Sequence, residues 1–367
     1  MSISTKLIGI TGNIATGKSV VRRMLANCGA LGIDADHLAH RTMYKDGPAY
    51  QPVIDAFGGH ILDERNQIDR GILAQIVFKS TEQLAMLESL VHPAVIHSTQ
   101  ARIEQSVQQL AAVEAVKLFE AGMDRICSSV WISHAPEKIQ MERLLHTRKM
   151  TEMDARARIA HQPIGATQMA QADVVINTEG DFKSTWDQVI RALNDTIQSE
   201  MEPPVLLQPG WQVPFAGTLA PAALTHFWMD HSGESLDALY QHLGLSMVTP
   251  ILHDGVPVAL ALWDNWNFTA TLRQVITADD TRILQGLLFQ AIEAHAASQQ
   301  SEIVLVSTRM AQENHLDMTG FQQADLEQLI YPAWQQACGK ISPNGSCPPW
   351  IKVLAQPFEQ QLTASNG

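Results

Sequence analysis

The chain has 367 residues, 46% hydrophobic and 17% charged, a globular composition that excludes disordered, collagen-like and coiled-coil classes and leaves room for two domains. With 25 Lys and Arg against 38 Asp and Glu the net charge is -13, which argues against a nucleic-acid or anionic-membrane partner. No apolar run approaches the roughly 18 residues of a membrane span, the start lacks a basic segment leading into an apolar one, and Cys28, Cys127, Cys338 and Cys347 include no CxxC pair, so the chain reads as a reduced cytoplasmic protein.

Lys6 to Thr11 is a short apolar run, and Val21, Met24 and Leu25 recur at helical spacing over Lys18 to Asn27, so the segment reads strand, turn, helix. Between the two, Gly12-Asn13-Ile14-Ala15-Thr16-Gly17-Lys18-Ser19 fits G-x-x-x-x-G-K-[ST] in the context that pattern requires. Small residues let successive backbone N–H groups point at a polyphosphate with the positive end of a helix behind them. Lys18 then brings a charge to the β and γ phosphates of a bound nucleotide, and the Ser19 hydroxyl can ligate the bridging Mg²⁺; the loop alone does not separate a kinase from a GTPase or a motor. Val20 follows in the first helical turn. Asn13 and Ala15 are tolerated in the loop because Asn accepts left-handed backbone and Ala is small.

A second strand, Ala30 to Ile33, runs into Asp34-Ala35-Asp36, placing two carboxylates at the carboxyl end of a strand beside the loop. Asp36 is the candidate base that orients an acceptor hydroxyl and takes its proton; the competing reading is that either acid caps the next helix. His37 and His40, one turn apart, read as surface or packing residues. From Gly47 to Gln109 the pattern is helical, with Pro93 starting one helix, and reads as an insertion beside the sheet. Strands at Ala112 to Leu118, Val130 to Ile132 and Val174 to Ile176 complete a doubly wound parallel α/β sheet.

In these residues the first half resembles the dephospho-coenzyme A kinase family. The likeness rests on the phosphate loop, Ile33-Asp34-Ala35-Asp36, Val91-His92-Pro93, Leu118-Phe119-Glu120-Ala121-Gly122, Gln140 to Arg148 and Ala172 to Asn177. It implies a P-loop fold with a helical dephospho-coenzyme A insertion (about 47–110), a lid (about 140–170), ATP and Mg²⁺ as cofactors, and dephospho-coenzyme A as substrate. It further implies Asp36 as base, His92 in the substrate-side motif, and Arg143 and Arg148 over the transferring phosphates, where guanidinium forks match phosphoryl oxygens. Thr151-x-x-Asp154 reads as the N-terminal box of a lid helix. Three positions depart from the family pattern: Glu114 stands where Asp is common, Lys117 either snorkels outward or reaches an anionic substrate, and Gln168 replaces a lid lysine. A P-loop kinase of another nucleoside or small metabolite, or a nucleotide-sensing module, stays open beside this reading.

Residues 1–200 hold 20 Lys and Arg and 23 Asp and Glu, residues 201–367 hold 5 and 15, so the net charges are -3 and -10. Pro203, Pro204, Pro209 and Gly210 coincide with that shift, which sets domains at 1–202 and 203–367. The second half reads as α+β: a hairpin of Met247 to Leu252 and Val256 to Trp263 turned by His253-Asp254-Gly255, a third strand over Phe268 to Thr277, a helix over Arg282 to Ala297, and a strand over Glu302 to Val306. It is weakly similar to GNAT acyltransferases, a likeness that implies binding of acyl-CoA. Its pyrophosphate turn is degraded to Asp279 to Gly286, so an idle domain or one gripping a protein partner stays open, and Asn314 and His315 have no assigned role. Trp211, Phe227, Trp228, Trp263, Trp266 and Phe268 read as core and cleft lining.

Overall fold

The computed structural model describes residues 5–161, 166–196, 205–278, 282–313, 320–325, 329, 331–342 and 348–355. The boundary near 203, residues 162–165 of the lid, Asp279 to Thr281, Asn314, His315 and Cys347 lie outside these.

The first sheet is wholly parallel. Strand β1 (Lys6–Thr11) leads into helix α1 (Lys18–Asn27), β2 (Leu31–Asp34) into α2 (Ala35–Thr42), and then α3 (Tyr50–Phe57), α4 (Arg70–Val77) and α5 (Thr81–Glu104) form the helical insertion. The chain returns through β3 (Leu110–Glu114), β4 (Ser129–His134), α6 (Glu137–His146), α7 (Glu152–His161), α8 (Ala166–Gln171), β5 (Val174–Asn177) and α9 (Phe182–Thr196). The strand order β2-β3-β1-β4-β5 puts the loop strand at the centre and brings the carboxyl ends of β1, β2 and β3 to one edge.

Two expectations from the sequence need correction. The third strand begins at Leu110 and ends at Glu114, not Leu118; beyond Glu114 the chain turns away after one last bond from Ala115 N–H to the Ile10 carbonyl. Pro93 does not start a helix but lies inside the 24-residue α5. The lost backbone bond costs about 3 kcal/mol, which the burial of Val91 and Val95 with Leu38 of α2 offsets.

The remaining elements are β6 (Val205–Gln208), β7 (Trp211–Val213), α10 (Pro221–His231), α11 (Leu236–Leu245), β8 (Met247–His253), β9 (Val256–Trp266), β10 (Thr269–Thr277), α12 (Arg282–Ser298), β11 (Ile303–Val306), α13 (Thr308–Glu313), β12 (Gln322–Gln323), α14 (Pro332–Ile341) and β13 (Trp350–Val353). They form a second sheet of order β12-β13-β11-β10-β9-β8-β7-β6, antiparallel apart from the β10–β11 pair. The expected meander is β8-β9-β10, and its first turn carries Asp254 and Gly255 at φ 49 and 80°, the left-handed pair that a two-residue hairpin turn demands. Phe227, Trp228, Trp263 and Phe268 are buried, as core aromatics should be.

The two sheets share hydrophobic core. One cluster runs from Ile8, Met24 and Trp131 through Trp186 and Leu193 to Trp228, Leu243 and Leu260. Polar residues stitch the same seam: Asn27 Nδ2 donates to the carbonyls of Leu243 and Ser246, both at 2.9 Å, and Asn27 Oδ1 accepts from Val248 N–H. Gln299 docks on β2, accepting from Gly32 N–H at 3.1 Å and donating to the Ala30 carbonyl at 2.8 Å.

Candidate active site

The loop between β1 and α1 is shaped by what cannot fit there. A Cβ on Gly12 would stand 2.5 Å from the Ser133 carbonyl and hydroxyl, so only glycine lets β1 pass β4 at this point. Gly17, at φ 86°, caps α1 without any side-chain acceptor, which leaves the first-turn amides of Lys18 and Ser19 without intrahelical partners. The left-handed non-glycine residue of the loop is Ala15, at φ 60°, not Asn13. Arg143 Nη1 donates to the Ala15 carbonyl at 3.1 Å and holds that turn. Buried Thr16 donates to the Asn13 carbonyl at 2.8 Å and meets Ser133 Oγ at 2.9 Å. Lys18 Nζ arches back along the loop to donate to the carbonyls of Gly12 and Asn13, both at 2.9 Å. Ile14 and Val20 are half-buried beside it.

The two strand-end acids divide their roles. Asp34 is the N-cap of α2, accepting from His37 N–H at 3.0 Å, and it lies 3.3 Å from His37 Nδ1. Asp36 sits in the first turn and makes no hydrogen bond or ion pair among the described residues. Its side chain is exposed, while the protein packed around it still desolvates the carboxyl; burial, followed by the charges of Asp34 and Glu114, pushes it from 3.8 up to about 6. Burial lowers the pKa of Lys18, with Glu114 and Asp36 pulling the other way, so the cation and the carboxylate feel each other's charge.

Glu114 is the residue that sequence reasoning noticed only as a departure. At the end of β3 its Oε1 accepts from Ser19 Oγ at 2.7 Å and its Oε2 accepts from Arg22 Nε at 2.6 Å; Arg22 Nη2 lies 3.8 Å from Asp34 Oδ2. The signal was positional: it is the last residue of the strand adjacent to the loop strand.

Arg143 is turned into the protein. Besides Ala15 it donates to Thr178 Oγ1 at 3.1 Å and to the Thr178 carbonyl, and Thr178 Oγ1 donates to the Thr16 carbonyl at 2.8 Å. Arg148 is exposed beyond α6, near enough to Lys18 to lower its pKa. Thr151 and Asp154 form the expected box, with Asp154 N–H donating to Thr151 Oγ1 at 3.2 Å. Lys117 points outward and pairs with Glu88 of α5; half-buried His92, one turn along, lies in the same group, its pKa lowered by burial. Gln168 is half-buried on α8. His37 packs edge-on to Trp266 with ring centroids 5.2 Å apart, and His40 Nε2 meets Arg70 Nη2 at 2.8 Å.

A central phosphate loop flanked by an acceptor-side carboxylate on a parallel sheet defines a P-loop kinase. The sequence model of the family described as dephospho-CoA kinase matches residues 6–184. The dephospho-CoA kinase of Carboxydothermus hydrogenoformans is 38% identical over 190 residues, covering 51% of this chain and 92% of that one. This chain belongs to the dephospho-CoA kinase family and is an ATP-dependent phosphotransferase. The solved dephospho-CoA kinase from Campylobacter jejuni is 23% identical with a TM-score of 0.40, covering 52% of this chain and 96% of that one. Over the C-terminal region the chain is similar to a GNAT family acetyltransferase from Elizabethkingia anophelis solved with acetyl-CoA, at 14% identity and TM-score 0.26, covering 40% of this chain and 100% of that one. No helix among the described residues is long and apolar enough to cross a membrane.

Proposed function

We propose that the site moves the γ-phosphoryl group of ATP to the ribose 3′-hydroxyl of dephospho-coenzyme A, giving coenzyme A and ADP. The loop amides from Asn13 to Ser19 receive the phosphates, and Lys18 exchanges its two loop carbonyls for phosphate oxygens, a swap that replaces neutral acceptors by charged ones. Asp36 holds the acceptor hydroxyl by a hydrogen bond and takes its proton as the new O–P bond forms and the bond to the ADP oxygen breaks.

Mg²⁺ fits the oxygens present. Ser19 and Glu114 offer two hard donors side by side, and among the described residues no three His, Cys, Asp or Glu side chains converge on a metal by themselves. That suits an ion that keeps waters and takes its other ligands from phosphates. When bound, it neutralises charge developing on those phosphates. Arg143, engaged with Ala15 and Thr178, acts as a positioning residue for the loop, while exposed Arg148 and half-buried Val20 stand at its rim. His92 and Lys117 line the insertion side, where the acceptor substrate is bound.

The observation that carries this reading is the Asp36 carboxyl in the first turn after β2, without a protein partner among the described residues and near enough to Lys18 of the phosphate loop for their charges to interact. ADP release by the full chain with dephospho-coenzyme A, against adenosine as alternative acceptor, tests it. Lys18→Ala and Asp36→Asn should each abolish turnover with native circular dichroism. Near-wild-type rates in either variant remove that residue from the mechanism, and preference for adenosine removes the acceptor assignment.

A further inference from the structure

Only five Lys or Arg lie in residues 201–367, yet two of them, Arg273 and Lys340, converge on one cavity of about 200 Å³ that Arg23 of α1 enters from the kinase half. The cavity lies on one face of the β9–β10 ladder, where Thr269 pairs with Trp266 and Thr271 with Asp264. The side chains of 264 and 266 and of 269 and 271 share that face by strand alternation. Arg273 follows on the same face by the same alternation, next to a register shift between Leu272 and Gln274. Ala337, Lys340 and Ile341 of α14 close the opposite wall.

The charges there do not balance. Asp264 is already partnered, accepting from Arg273 Nε at 2.7 Å and from Ser246 Oγ at 3.1 Å. Against that one carboxylate stand three cations. Arg23 has no ion pair or hydrogen bond among the described residues, and Lys340 has only the face of Trp266, with Nζ 3.3 Å from the ring centroid. Burial, followed by the neighbouring Arg22, lowers the Arg23 pKa from 12.5 to about 10, a cost that an anion would relieve. An independent sign is Thr269: it is 1% exposed, lines the cavity, and its hydroxyl has no hydrogen-bond partner. Buried hydroxyls are seldom left so.

We infer that this cavity is a second anion site, built for a compact phosphoryl group and separate from the phosphate loop. Two guanidinium forks, one ammonium and a threonine hydroxyl are the donor set that tetrahedral phosphoryl oxygens accept from, and no donor of the loop is shared. Asp264 keeps Arg273 in place at the rim rather than meeting the anion.

Inorganic pyrophosphate and orthophosphate, titrated by calorimetry into the full-length Lys18→Ala variant at fixed ionic strength, test the site with the phosphate loop weakened by loss of its cation. Saturable binding should appear and weaken by roughly tenfold or more in Arg23→Gln/Lys340→Gln on the same background. Thr269→Val serves as the second variant: it removes an unpaired buried hydroxyl, so it should raise the melting temperature of the ligand-free protein while weakening pyrophosphate. A mere packing role for Thr269 would not produce both effects. Absence of binding in Lys18→Ala at millimolar pyrophosphate, or unchanged affinity in Thr269→Val and in Arg23→Gln/Lys340→Gln, overturns the site.

Discussion

Arg41 of α2 and Glu302 at the head of β11 form an ion pair sealed between the two halves of the chain, their side chains 1% and 2% exposed. The pair is embedded in a wider set: Trp334 Nε1 donates to Glu302 Oε2 at 3.0 Å, and the guanidinium carbons of Arg102 and Arg41 lie 3.7 and 5.0 Å from the centre of the Phe268 ring. Removing one member of a buried pair strands the other's charge. Glu302→Ala should therefore destabilise the protein by about 3–5 kcal/mol, while Arg41→Met/Glu302→Leu, which removes both charges, should recover most of that loss. Urea unfolding of the variants checks this, and equal losses in the single and double variants would show that packing, not charge, holds the seam.

Gly12 is a steric prediction. Its added Cβ would meet the Ser133 carbonyl and hydroxyl at 2.5 Å and Thr16 Oγ1 at 2.6 Å, and the backbone oxygen cannot rotate away. Gly12→Ala should displace the loop, so ATP binding measured by calorimetry falls roughly tenfold or more, with the sheet intact by circular dichroism.

Arg143 and Thr178 act on the loop through its carbonyls. Thr178 Oγ1 donates to Thr16 O while Arg143 holds Ala15 O, so the two together tie the loop to the chain just past β5. Thr178→Val should raise KM for ATP with a smaller change in kcat, since the valine leaves the Thr16 carbonyl without its donor, while Arg143 still holds Ala15 O, and touches no reacting atom. Equal falls in kcat and kcat/KM would instead place Thr178 in the transition state.

How much of this was legible in the sequence follows from where each signal originates. β1 and α1 match residue for residue because an apolar run, a glycine motif and a helical stripe agree locally. The position of Asp36, two residues past the end of β2, was legible because a strand end beside the loop is set by topology. The seam was not. Asn27, Arg41, Arg102 and Gln299 are polar residues to which the sequence assigns no role, and each is buried with a partner some 200 or more residues away, or nearly so. Gln299 is the clearest case: its amide presents one acceptor and one donor to Gly32 N–H and Ala30 O, standing in for a strand on the open edge of β2. No periodicity announces such a contact. Glu114 was visible as a residue but not as a partner, because its role depends on β3 lying next to β1.

The raised carboxyl of Asp36 ties pH to both rate and stability. Its folded value of about 6 lies above its ordinary 3.8, so the folded state holds this proton more tightly than the unfolded chain does. Asp36 therefore contributes stability below about pH 4, and that contribution is lost as pH rises through about 6. Base catalysis needs the ionised form, so kcat/KM for dephospho-coenzyme A should climb tenfold per pH unit below about 6 and level off above it. A phosphate of the nucleotide, with its second pKa also near 6, would give a similar limb. At saturating Mg²⁺, which already keeps the nucleotide phosphates ionised, Glu114→Gln separates the two, because deleting a like charge beside Asp36 lowers the carboxyl's pKa. The acid limb should move to lower pH in Glu114→Gln even though the overall rate falls with the loss of the Ser19 contact. A limb that stays in place would assign the titration to the nucleotide and leave Asp36 ionised throughout the assay range.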